Sequence, residues 1–180
     1  MRRAAASVLV MGVCGVGKST LAHRLADALD GVVVEADDFH PQRNIEAMRA
    51  GRPLDDAMRW GWLDALGAAV TETAAADPSR AVVLACSALK RSYRDRLRDR
   101  IGTVAIVHLT GEPALIGARL AARRDHFMPP SLLESQIADL EPPREDEAPV
   151  IAIDVAEKPG EMTSKAVSFV TAVIGGRGPA

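Results

Sequence analysis

The sequence predicts an α/β fold, a parallel sheet with helices packed on both of its faces. Three observations carry that expectation. Five short apolar runs (7–11, 32–37, 81–86, 104–109 and 150–153) are continuous rather than alternating, as strands buried on both faces are. Between them lie segments with apolar residues at helical spacing, and strands that alternate with helices build a parallel sheet. Directly after the first run stands Gly12-Val-Cys-Gly-Val-Gly-Lys-Ser-Thr20, which fits G-x-x-x-x-G-K-[ST] at every fixed position.

That loop needs a strand before it and a helix after it, and both are present. Ser7-Val-Leu-Val-Met11 reads as a buried strand, and Leu21, Ala22, Leu25, Ala26 and Leu29 form a helical stripe stopped by Gly31. Glycines let successive N–H groups curl toward a phosphate with no Cβ in the way, and the helix adds its positive end. The whole stretch is therefore expected to bind a nucleotide: Gly12, Val13, Cys14, Gly15, Val16, Gly17, Lys18, Ser19 and Thr20. Lys18 would reach the β and γ phosphates, and the Ser19 hydroxyl would ligate Mg²⁺.

Composition bounds the rest. The 180 residues suit one domain, and 48% hydrophobic with 26% charged residues is a globular balance. A formal net charge of −2 gives no general attraction to nucleic acid or membrane. Two cysteines, Cys14 and Cys86, are too few for a disulfide framework, so a cytoplasmic location is expected. Arg2-Arg3 before an apolar run resembles a signal peptide, but cleavage there would remove the phosphate loop. No run reaches the ~18 apolar residues of a membrane helix.

Along the chain, the second strand (32–37) ends in Glu35-Ala-Asp-Asp38, beside the crevice where such sheets bind ligands. An insertion at about 40–62 follows, with a helical piece at 44–50; a long helix then runs from about 59 to 76, before Pro78. The segment at about 123–143 reads as a lid: Ser131-Leu-Leu-Glu134 looks like a capping box, flanked by Pro129-Pro130 and Pro142-Pro143. After Lys158 the tail has helical spacing at Met162, Ala166, Val170 and Val173.

Several constellations have the chemistry for phosphoryl transfer. Side chains alternate along a strand, so Glu35 and Asp37 should share a face. Asp37 is the expected base, with Asp38 its alternative, and Glu35 a water-mediated metal contact. Arg119 and Arg123 lie four apart, on one helix face, as candidate nucleotide clamps. Leu89, Tyr93 and Leu97 form a buried stripe, and Lys90 and Arg94 stand near the strand end, where they could hold an anionic substrate; Arg96, Arg98 and Arg100 read as a solvated face. His40 and His126 fall in crevice loops, His23 on the surface, and His108 inside a strand as a satisfied core residue. Trp60 and Trp62 read as packing, and no Cys/His cluster has zinc spacing.

Taken together, these residues resemble the gluconate kinases, small P-loop sugar-acid kinases akin to shikimate and nucleoside monophosphate kinases. The resemblance runs from Val10 to about Val155. It rests on the phosphate loop, Glu35-Ala-Asp-Asp-Phe-His-Pro41, Asn44-Ile-Glu-Ala-Met48 and Gly51-Arg-Pro-Leu54, with Asp56, Arg59 and Trp62-Leu63. It continues through Ala85-Cys-Ser-Ala-Leu-Lys-Arg91, Tyr93-Arg-Asp95, His126-Phe-Met-Pro-Pro-Ser-Leu-Leu133, Gln136 and Leu140-Glu-Pro-Pro143. It implies a five-stranded parallel sheet with a lid, a homodimer, and ATP-dependent phosphorylation of D-gluconate to 6-phosphogluconate. Asp37 then matches the base-like carboxylate; His40, Arg59 and Lys90 match gluconate contacts; Arg123 matches a lid arginine. The family pattern has Asp, Pro and Gly where this chain has Met58, Gly61 and Asp125. Two rivals stay open on sequence alone: a kinase of another small acceptor, such as shikimate or a nucleoside monophosphate, and a nucleotide-dependent switch without catalysis.

Overall fold

A computed structural model describes residues 7–102, 104–122 and 131–176. Among them, five strands form one all-parallel sheet: β1 (Ser7–Met11), β2 (Val32–Glu35), β3 (Val82–Ala85), β4 (Val104–Thr110) and β5 (Val150–Asp154). Their spatial order is β2-β3-β1-β4-β5. The central β1 pairs with β3 from Ser7 against Val82 and with β4 from Ser7 against Val104. A strand hydrogen-bonded on both edges and covered on both faces has no solvent side, which is why its sequence does not alternate. Val10 and Met11 are fully buried.

Two apolar layers sandwich the sheet. On one face, α1 (Lys18–Leu29) and α7 (Pro159–Gly176) bury Leu25, Ala26, Met162, Ala166 and Val170 with Val8 and Val10 of β1. On the other, α3 (Asp56–Ala76) and α4 (Arg91–Ile101) bury Trp62, Leu63, Leu66, Tyr93 and Leu97 with Leu9 and Met11. The apolar stripe of the tail thus packs on its own chain. A smaller satellite of Ala47, Met48, Leu54 and Leu132 joins α2 (Gln42–Arg49) to α6 (Leu132–Asp139); α5 (Pro113–Ala121) precedes the segment outside the described residues.

Some local expectations need correction. The second strand stops at Glu35, and Ala36–Phe39 form a 3-10 turn, so strand alternation does not place Asp37. The long helix starts three residues before Arg59, because the Asp55 side chain accepts from Met58 N–H at 2.8 Å and caps it. Met58 sits in that first turn against the satellite cluster, and a Cβ at Gly61 would meet nothing within 4 Å. The capping box at Ser131 does not form: its backbone is already helical and its side chain caps nothing. His108 is buried but unsatisfied, with no partner for Nε2.

Candidate active site

The phosphate loop leaves the carboxyl end of β1 and enters α1. Gly12 adopts φ +146°, and a Cβ there would lie 2.6 Å from the Leu109 carbonyl oxygen, so only glycine fits. Gly17, left-handed at φ 93°, precedes α1, and no side chain caps that helix. Its first-turn amides therefore face the loop's concavity, the arrangement that suits a phosphate. Lys18 Nζ donates to the Val13 carbonyl at 3.0 Å, which folds the ammonium over the cradle.

Ser19 and Glu35 meet beside the cradle: Ser19 Oγ donates to Glu35 Oε2 at 3.0 Å. A hydroxyl and a carboxylate in contact are a hard-oxygen donor pair, the chemistry that Mg²⁺ prefers, so these residues fit the metal that the loop implies. His23, one turn beyond Ser19 and exposed, has Nε2 3.5 Å from Glu35 Oε1. Among the described residues no cluster of three His, Cys, Asp or Glu could cage a metal without substrate.

Next to the loop lies a pocket of about 250 Å³, lined by Gly15, Thr20, Arg24, Arg119, Val155 and Pro159 among others. Arg119 is held there by its donation to the Val155 carbonyl at 2.8 Å. The expected clamp residue therefore borders the space next to the phosphates where a nucleoside would extend. Arg123 and His126 lie outside the described residues.

The acceptor side is built from the 3-10 turn, α3 and the loop after β3. Cys86, at the end of β3, has its thiol pushed up to about 12, chiefly by burial; Asp37 adds to the shift, while Lys18 and Arg59 oppose it. His40 stacks on Trp62 with ring centroids 4.1 Å apart, and its Nε2 is 3.9 Å from Asp37 Oδ1. Asn44, fully buried, presents Nδ2 to His40 Nδ1 at 3.4 Å and to the Met58 carbonyl at 3.0 Å. With Nδ1 accepting, the ring proton sits on Nε2, facing Asp37. Burial holds His40 neutral, down at about 4; Arg59 assists and Asp37 opposes.

Arg59 and Lys90 lie side by side across the Tyr93 ring. Arg59 donates to the Tyr93 hydroxyl at 2.7 Å and to Asp139 at 3.2 Å; Lys90 pairs with Asp56 at 3.0 Å and with Asp139 at 3.8 Å. The Tyr93 hydroxyl also donates to Asp56, and this bond, with that from Lys90, holds the Asp56 carboxyl below its ordinary range. Two cations, pre-positioned by acidic partners, suit an incoming carboxylate.

Arg94 does something else. It is 1% exposed and bound at every guanidinium nitrogen: Nε and Nη2 to Glu147 at 2.6 and 2.8 Å, Nη1 to the carbonyls of Ala88 and Leu89. The expected substrate contact is instead a buried clamp on the loop carrying Ser87 and Lys90. The clamp holds Ala88 at φ 43°, a strained value for a residue with a Cβ. Arg98 is likewise drawn into this cluster, through Asp95 and Glu147, while Arg96 and Arg100 pair with Asp64. The solvated face is an ion-pair face.

Sequence reasoning assigned no role to Asn44, Asp139, Glu147 or Gln136. Asn44 and Gln136 lay inside quoted motifs. Glu147 gave no signal at all, since its partner is 53 residues away.

A phosphate cradle, an adjoining pocket beside it and a second pocket lined by His40, Arg59 and Trp62, on one parallel sheet, are the arrangement of a P-loop small-molecule kinase. The AAA domain family matches residues 8–143. A gluconokinase of Gluconobacter oxydans is 43% identical, covering 84% of each chain. A probable gluconokinase of Schizosaccharomyces pombe is 41% identical over 82% of this chain and 78% of its own. The crystal structure of a gluconokinase from Sinorhizobium meliloti superposes with a TM-score of 0.83 at 40% identity, covering 97% of each chain. The chain belongs to the gluconokinase family.

Proposed function

We infer that this protein is a gluconokinase, which transfers the γ-phosphoryl group of ATP to the primary hydroxyl of D-gluconate and yields 6-phospho-D-gluconate and ADP. The observation that supports this reading is the nearness of two carboxylates to the two half-sites: Glu35 meets Ser19 beside the cradle at 3.0 Å, and Asp37 stands 3.9 Å from His40, which lines the pocket with Arg59. Asp37 accepts the proton of the attacking hydroxyl, with neutral His40 donating toward it and fixing its orientation. Lys18 and the loop amides stabilise charge on the transferring group. Arg59 and Lys90 fix the acceptor's carboxylate, exchanging their internal partners Asp56 and Asp139 for it. Ser19 and Glu35 would hold Mg²⁺, which would supply neutralisation of the phosphate charge when bound. Arg119 borders the nucleoside, and Arg123 and His126 complete the reading as lid residues. A homodimer and a cytoplasmic location belong to the same proposal, supported by the family resemblance; no helix among the described residues is long and apolar enough to cross a membrane.

ADP release, measured across gluconate, other sugar acids, shikimate and nucleoside monophosphates, tests this reading. Gluconate should give the highest kcat/KM. Stimulation by none of them overturns it in favour of a nucleotide-binding switch.

A further inference from the structure

A polar side chain bridges the two half-sites. Gln136, on α6, accepts a 2.7 Å hydrogen bond at Oε1 from the backbone N–H of Cys14, in the middle of the phosphate loop. The same residue lines the acceptor pocket, opposite His40, Arg59 and Trp62. Three residues on, and so on the same side of the helix, Asp139 holds Arg59 and Lys90. One eight-residue helix therefore has a polar hold on the donor loop and another on the acceptor's cations.

The acceptor pocket lies between two walls. One wall is fixed, because Trp62 is buried in the core and its Nε1 donates to the Ala36 carbonyl at 2.8 Å. The other wall, α6 with Met48 and Leu54, is held by Leu132 in the satellite cluster and by Leu133 in the main core that also contains Cys14. An acceptor bound between the walls therefore bears on α6 and on the Gln136 bond to Cys14.

We propose that Gln136 is the positioning residue that couples the acceptor pocket to the phosphate loop, so that each substrate binds more tightly when the other is present. The inference rests on the gluconokinase reading given above and concerns how its two sites communicate. An acceptor seated between α6 and Trp62 fastens α6, and with it the Gln136 carbonyl on the Cys14 amide. That sets the loop, and with it the γ-phosphate, at attack distance from the hydroxyl. A misplacement of ~1 Å there costs about a hundredfold in rate.

The test compares wild type with Gln136→Met, which fills similar space without accepting a hydrogen bond. A non-hydrolysable ATP analogue is titrated calorimetrically with and without saturating gluconate, and gluconate with and without the analogue. In wild type each ligand should tighten the other by the same factor, roughly fivefold or more. In the variant that factor should fall to near one, each ligand alone should bind within about threefold of wild type, and kcat should drop by roughly tenfold or more. Gln136→Asn, too short to reach Cys14, should behave alike and guards against a misfolded Met variant. Three results overturn the proposal: no mutual tightening in wild type, unchanged coupling in both variants, or single-ligand affinities that fall as far as the coupled ones, which marks a purely structural role. Wild-type turnover with gluconate is read separately, so failure of the coupling is distinguishable from failure of the enzymatic reading.

Discussion

His40 lies flat against Trp62, their planes 14° apart, with its Nε2 directed at Asp37. The stack fixes the ring, Asn44 fixes its tautomer, and burial keeps it uncharged, so a hydrogen-bond donor stands beside the expected base. If Asp37 takes the hydroxyl proton, Asp37→Asn should lower kcat by two to four orders of magnitude, the usual scale of general-base catalysis. Nucleotide affinity should stay within a few fold, because Asp37 stands beside His40 on the acceptor side. Steady-state kinetics beside nucleotide titration will separate the two; turnover near wild type excludes Asp37 as the base.

The metal side has its own expectation. Glu35→Gln keeps an oxygen on the Ser19 hydroxyl but removes the negative charge. The Mg²⁺ concentration for half-maximal rate should rise by about tenfold or more, with gluconate KM little changed, and chelation of the metal should abolish turnover in both proteins. A Mg²⁺ titration of initial rates reads it out.

Arg94 and Glu147 are an ion pair with both side chains 1% exposed. Removing one member leaves the other charge buried and alone, at a cost of about 3–5 kcal/mol. Arg94→Met should therefore lower the unfolding free energy by about that much. Because Arg94 also holds the Ala88 and Leu89 carbonyls, surviving folded protein should show a raised gluconate KM. Denaturant unfolding and kinetics measure both; a variant of wild-type stability would show the pair to be dispensable.

Stability should also depend on acid in a defined direction. His108 is held at about 4 by burial, with Arg94 adding to the effect, and His40 likewise sits near 4, whereas the ordinary value is 6.5. Between pH 6.5 and 4 the unfolded chain binds more protons at these positions than the folded one. Their contribution to stability is thus fully present above about 6.5 and is lost as pH falls through 4. Thermal melts from pH 7.5 to 4.5 should fall accordingly. His108→Leu, which removes a buried nitrogen without a partner, should flatten the slope and hold or raise the melting temperature at pH 7.

The phosphate loop was legible because its chemistry is local: nine consecutive residues make the turn, the amides and the positive helix end by themselves. The strands were legible because burial on both faces removes every polar residue from β1 between Val8 and Met11. Glu35 at the end of β2 followed from the same logic. Asp37 was placed by strand alternation, yet the chain turns at Ala36, and a single 3-10 turn carries no periodic signal. Arg94 shows the limit most clearly. As a sequence symbol it is a basic residue near a strand end; whether it meets a substrate or a glutamate depends on where residue 147 lands.

The sequence by itself determined the class of chemistry, since a phosphate cradle and a hydrophobic parallel sheet are specified by residue type over short stretches. Only the tertiary structure decided which charges are spent on each other and which face the acceptor: Arg94 on Glu147, Lys90 on Asp56, Gln136 on the loop amide of Cys14. Pairings across 34 to 122 residues of chain are set by how the layers pack, and a linear pattern carries no record of distance in space.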